Sequence, residues 1–309
     1  MNKFLPLLLL LGLSQFVSAQ DESIFQHYTV SPILINPAVA GFKDAYQLQF
    51  NARAQWTGFE DAPKTVGVRY NDPIGRTFGL GIGVLSESAA QLTRTQLHLD
   101  YAFRLAINDD WKAAFGFFTD FQRMSVDNDV AGSTFYQQGD QLLEDLINGR
   151  GEFDAAVGLF GTYRENTYAG LTFNNLVSSR LEDIAGTTGN QESFFSYYTF
   201  QLGSKFFTQD SKLSFEPSIL LRQIRNTPFQ MDINMNVGFL NDQLLAGVSY
   251  RSLGALGLLL GAKLPSFNLY YSYDLSFQRF QKFNSGSHEV TVLLSLKPKR
   301  DRKGEPQQQ

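Results

Sequence analysis

Apolar and polar residues alternate one by one along most of this chain. In 267–277 one face reads Phe267, Leu269, Tyr271, Tyr273, Leu275 and Phe277, and the other Asn268, Tyr270, Ser272, Asp274 and Ser276. Stretches 46–56, 97–105 and 231–239 repeat the pattern. A helix would place apolar residues three and four apart; a step of two is the signature of a strand with one apolar face. Read on in this way, the pattern predicts about fourteen strands. They lie near 45–56, 64–72, 77–87, 91–106, 110–124, 152–163, 166–175, 194–206, 211–225, 229–240, 243–251, 254–264, 266–276 and 287–297.

The connections carry a second signal. Every even-numbered one is short and has turn chemistry: Asp72 to Arg76, Ile107-Asn108-Asp109, Arg164-Glu165, Thr208-Gln209-Asp210, Asn241-Asp242 and Pro265. The long ones, 57–63, 125–151, 176–193 and 277–286, are all odd. Tight turns on one side and long loops on the other are the arrangement of an outer-membrane barrel, with the turns periplasmic. A soluble sandwich gives no reason for this parity. Closure into a barrel also removes the open edges that so many strands would otherwise expose. The expected fold is therefore all-β, a transmembrane antiparallel outer-membrane barrel spanning 45–297.

Composition agrees. Aromatics make up 14% of the chain and charged residues only 18%. The apolar face meets lipid, and the other face carries Arg53, Arg69, Asp100, Arg104, Asp120, Asp154, Glu216, Arg222, Asp232 and Asp274. Charges of both signs there imply a wet lumen, or one filled by side chains and a plug. Lys3, the apolar run from Phe4 to Leu13, and Val17-Ser18-Ala19 make a cleavable signal peptide at 1–19. That run is too short to cross a bilayer as a helix. Residues 298–309 form a polar, basic tail. The net charge of −4 gives no footprint for nucleic acid.

Two dense stretches stand outside the strand rhythm. The first, in the pre-barrel segment 20–44, is Asn36-Pro37-Ala38-Val39-Ala40-Gly41. Asn-Pro disfavours helix at Asn36, and Gly41 allows a positive φ. These residues read as an entry turn, with a plug or a periplasmic contact segment as the alternative. The second runs from Arg53 through Trp56, Gly58, Phe59 and Pro63 to Lys64, across the first long loop. Trp56 falls where an interfacial aromatic belt lies. Phe59 sits at a loop tip and has no comparable structural reason.

Together, Asn-Pro-Ala-x-Ala-Gly and Arg-x-Gln-Trp-x-Gly-Phe-x-x-Ala-Pro-Lys-Thr resemble the opening of the PorP/SprF family. These are outer-membrane proteins of the type IX secretion and gliding-motility apparatus of Bacteroidetes. Shorter matches follow in order: Phe215 to Ser218, Leu245 to Arg251, Tyr271 to Asp274, and Ser285 to Glu289. The resemblance implies a non-enzymatic protein that supports export or surface anchoring of a secreted cargo bearing a C-terminal secretion domain, such as an adhesin. It implies periplasmic components of the secretion machine as further partners. The polar lumen alone leaves a second reading open, a channel or transporter for small solutes.

Enzyme chemistry finds little support. His27, His98 and His288 lie far apart, without metal-ligand spacing. Gly79-Leu80-Gly81-Ile82-Gly83 lies inside an alternating strand with no helix after it, so it fails as a phosphate loop. Its small residues relieve crowding inside a barrel. No cofactor or metal is expected. Gln141 to Ile147 has helical spacing and predicts a short helix within the long loop 125–151.

Overall fold

A computed structural model of the protein describes residues 25–43, 45–127, 141–177, 179–180, 197–210, 212–224, 227–277 and 285–296. The expected signal peptide and basic tail lie outside these residues.

Each alternating stretch forms a strand. In chain order they are β1 (Tyr46–Ala54), β2 (Lys64–Ile74), β3 (Phe78–Ala89), β4 (Leu92–Ala106), β5 (Trp111–Val126), β6 (Arg150–Tyr163), β7 (Thr167–Phe173), β8 (Ser179–Arg180) and β9 (Tyr198–Ser204). There follow β10 (Phe206–Phe207), β11 (Leu213–Gln223), β12 (Gln230–Phe239), β13 (Leu244–Arg251), β14 (Ala255–Lys263), β15 (Asn268–Ser276) and β16 (Ser287–Leu296). Neighbours in sequence pair antiparallel, and β1 closes on β16 from Tyr46↔Leu296 to Ala54↔His288. β9 and β10 form one stave in a single register on β11, Gly203 opposite Ser218 and Phe206 opposite Phe215. Only Lys205 interrupts it, and its side chain turns to Asp242. Among the described residues the wall thus has fourteen staves, and β8 is an extra pairing on β6. The predicted strands, closure and barrel class are borne out.

Alternation sets the two faces. In β3 the outward Phe78, Leu80, Ile82 and Val84 are exposed, and the inward Gly79, Gly81 and Gly83 are buried. Among the described residues no helix is long and apolar enough to cross a membrane; the strands cross it. The turns at 75–77, 107–110, 164–166 and 240–243 are tight, with positive φ at Gly75, Arg164, Glu165, Leu240, Asn241 and Asp242. Helix α1 (Gln141–Asn148) stands where the spacing predicted one and touches β5 and β6 on the opposite, outer side.

The pre-barrel segment lies inside the lumen as a strut. It contains three short 3-10 turns, Gln26–Thr29, Pro32–Leu34 and Pro37–Val39. The first touches β15 and β16, and the third touches β4, β5 and β6. The strut therefore crosses from the periplasmic end of one wall to the outer end of the facing wall. Asn36 and Gly41, which local chemistry favours as an entry turn, are both buried here, and Gly41 takes φ +60°. Gly41 belongs to the lower end, the heel, which fits by shape. Ala38 packs with Ala114 and Phe160, and Ala40 with Ile33 and Ala102. A Cβ on Gly79 would strike the Ala40 carbonyl, and one on Gly116 the Ala38 backbone. The glycines let strut backbone lie directly on strand backbone.

Gly116→Val should therefore overpack the heel, at a cost of about 1–3 kcal/mol. The expected result is a lower temperature for loss of the folded, fast-migrating band on gels. An unchanged midpoint would mean that the heel is not seated on β5.

Candidate functional site

The outer end of the strut, the toe, is held by polar groups. The backbone N–H of Gln26 donates to Glu289 Oε2 at 2.8 Å, and that of His27 to Glu289 Oε1 at 3.2 Å. His27 Nδ1 lies 2.7 Å from Thr291 Oγ1. The Gln26 amide faces Ser249 and Asp274. The Tyr28 hydroxyl donates to Asp232 at 3.2 Å, and Ser31 Oγ reaches Gln49. Alternation explains the clustering: Glu289, Thr291, Asp274, Ser249 and Asp232 all stand at inward positions near the outer ends of their strands.

Arg53 ties this cluster together. Its guanidinium pairs with Asp274 at 2.7 Å and Glu289 at 2.9 Å, with all three side chains nearly inaccessible. Asn51 adds bonds to Glu289 at 3.0 Å and Thr291 at 2.6 Å. Arg251, 3.5 Å from Asp232, makes the corresponding pair on the neighbouring strands. Elsewhere in the lumen Arg69 pairs with Asp100 at 3.3 Å, and His98 stands 3.5 Å from Asp120. Asp154 sits opposite Asp120 across β5 and β6. Among the described residues no group of three or more His, Asp or Glu is placed to hold a metal.

Directly above Arg53, the loop 55–63 forms a braced knuckle. Trp56 has a positive φ of 46°, a backbone region that costs a bulky residue about 1–3 kcal/mol and persists only where its surroundings enforce it. The enforcement is visible. Trp56 N–H donates to Ser287 Oγ at 3.0 Å, Thr57 N–H to Gly286 O at 2.8 Å, and Ser285 N–H to Thr57 O at 2.6 Å. Gln55 N–H reaches Pro63 O at 2.9 Å, closing the loop base, and Gly58 turns it at φ +101°. The Trp56 and Phe59 side chains remain 42% and 39% exposed at the outer rim. Lys64, the first residue of β2, is exposed and pairs opposite Ala54.

The candidate residues thus divide into two places. Asn36, Pro37, Ala38 and Gly41 lie in the heel. There Asn36 Oδ1 accepts from Ala38 N–H at 3.0 Å, and its Nδ2 donates to Leu159 O at 2.9 Å. Trp56, Gly58, Phe59, Pro63 and Lys64 lie at the outer rim. Arg53 joins the two through Glu289 and the toe. Gln26, His27 and Tyr28, absent from the sequence candidates, complete the assembly. Their signal was the pair of lumen carboxylates at Asp232 and Asp274, which implied inward partners without naming them.

A family model described as "Type IX secretion system membrane protein PorP/SprF" matches residues 17–294. Among curated proteins none matches the chain in sequence. Among solved structures, the Ralstonia pickettii toluene transporter TbuX superposes with a TM-score of 0.52 at 9% identity, over 86% of this chain and 93% of that one. The CymD monoaromatic hydrocarbon channel gives 0.51 at 12% identity, over 89% and 92%. At such identities the likeness is one of fold, an outer-membrane barrel.

Arg53→Ala would leave two buried carboxylates without their shared cation. Breaking a buried pair costs about 3–5 kcal/mol. A clearly lower urea midpoint is expected for the variant reconstituted in liposomes, and an unchanged midpoint would contradict this account of the cluster.

Proposed function

We propose, from the premise that this chain belongs to the PorP/SprF family of type IX secretion system membrane proteins, that it supports export or surface anchoring of a C-terminal-domain, adhesin-type cargo. The protein is an integral outer-membrane barrel. In this reading the secreted partner docks at the outer rim on Trp56 and Phe59, and periplasmic components of the machine meet the opposite rim of tight turns.

The observation that carries the reading is the knuckle at 55–63. A strained, cross-braced backbone displays two large aromatics where a lipid-facing role does not require a loop tip. Exposed aromatics on a rigid support are the usual anchors of protein interfaces. The filled lumen counts against a standing channel for small solutes. A cavity beside the strut, lined by Ile33, Asn36, Arg69 and Asp100, is about 80 Å³, room for a few water molecules.

Deletion in the native host followed by surface proteomics tests the role. Loss of one C-terminal-domain protein from the cell surface is expected, and an unchanged surface proteome would refute the cargo role. Phe59→Ala should weaken partner capture at least tenfold while the barrel stays heat-modifiable on gels. A variant that fails to assemble would instead make Phe59 a structural residue.

A further inference from the structure

The two ends of the strut are attached in different ways. The heel is fixed by shape, with strut backbone against strand glycines and Arg69 and Thr172 holding the carbonyls of Ile33 at 2.8 Å and Ile35 at 3.0 Å. The toe, residues 25–31, is held mainly by hydrogen bonds to polar side chains of the wall, each of which water can replace. Five buried polar atoms at this end, His27 Nε2, Gln49 Nε2, Asn51 Oδ1, Arg53 Nε and Ser272 Oγ, find no hydrogen-bond partner among the described residues.

The wall behind the toe is also complete without it. Arg53 pairs with Asp274 and Glu289, and Arg251 with Asp232, all within the barrel. Withdrawal of the toe leaves no wall charge unpaired. The strut contributes no rung to the strand ladder, so the fourteen staves remain closed whether or not the toe is docked. The heel and toe sit on facing walls, so release of the toe alone clears one side of the lumen. The wall uncovered there is polar at its outer end, Gln49, Asn51, Arg53, Asp274, Glu289 and Thr291, and apolar where Val30 now rests on Leu245, Leu259, Tyr270 and Leu293.

We infer that the barrel contains a latent aqueous passage along β12–β16 and β1, closed by the docked toe and opened when the toe swings away while the heel stays seated. Its contents are ions and small hydrophilic solutes, because the outer part of the exposed wall offers matched charges and amides; the apolar patch of Leu245, Leu259, Tyr270 and Leu293 lies beside it, under Val30. The bend is at Ser31-Pro32, between the last toe contact, on Gln49, and the first heel contact, on the Ile33 carbonyl. This passage is a property of the barrel itself and does not depend on the secretion role.

The chain has no cysteine, so a designed pair reports cleanly. His27→Cys/Thr291→Cys puts one thiol on the toe and one on the wall residue whose side chain it touches. The purified full chain is reconstituted in planar bilayers, and its cross-link is checked by mass spectrometry. Oxidised protein is expected to be silent. Reduced protein is expected to show bursts with an open probability at least tenfold higher, and the cycle should reverse. Glu289→Gln, which disturbs both backbone anchors without any cross-link, should raise the open probability in the same way. Silence of both the reduced pair and Glu289→Gln would overturn the passage. Equal conductance in the cross-linked state would overturn closure by the toe. Failure of the two thiols to cross-link would contradict the docking on which the inference rests.

Discussion

A closed barrel of fourteen staves encloses more space than its inward side chains can fill. Eight strands are about the size at which side chains suffice. Water or another segment takes up the rest, and here the chain's own segment 25–43 lies across the lumen. Much of the inward face follows from that constraint. Glycines stand on β3 and β5 where strut backbone must lie close, and alanines on β4 and β5 where its small side chains pack. Carboxylates stand on β12, β15 and β16 where its N–H and O–H groups point.

The same constraint gives the scattered motifs one purpose. Ser285 to Glu289 is a single device. Gly286 takes a positive φ against Tyr273, Ser287 holds the Trp56 backbone, His288 turns outward to Tyr271, and Glu289 turns inward to the strut. Tyr271 to Asp274 supplies the matching side, ending in the Asp274–Arg53 pair. Ser249 and Arg251 complete the toe site from β13. The outer knuckle and the lumen strut are thus two faces of one bonded cluster centred on Arg53 and Glu289.

The barrel wall was legible in the sequence because strand alternation is local and repeats along the chain. Its strand spans, the parity of its connections and the helix at Gln141 followed from residues a few positions apart. The interruption at Lys205 was not legible, since it breaks the assignment without changing the register. The path of the pre-barrel segment was not legible either. Asn36-Pro37 and Gly41 have turn chemistry wherever they sit, and nothing near them in sequence shows that Gly79, Gly116 and Gly158 wait opposite. Gln26, His27 and Tyr28 look like ordinary polar residues until Glu289 and Asp232 are brought to them across more than two hundred positions. The lumen charges were correctly read as inward, but their partners depend on barrel closure.

The central claim is that residues 25–43 cross the lumen and seat on the β4–β6 wall. Cysteines at Ala38 and Ala114 test it most directly, because these side chains pack together only if the strut is inside. The account predicts that the pair cross-links under mild oxidation in intact outer membranes, and that Ala38→Cys alone resists a periplasmic maleimide. Free labelling at position 38 with no cross-link to 114 would place the segment outside the barrel and contradict the account.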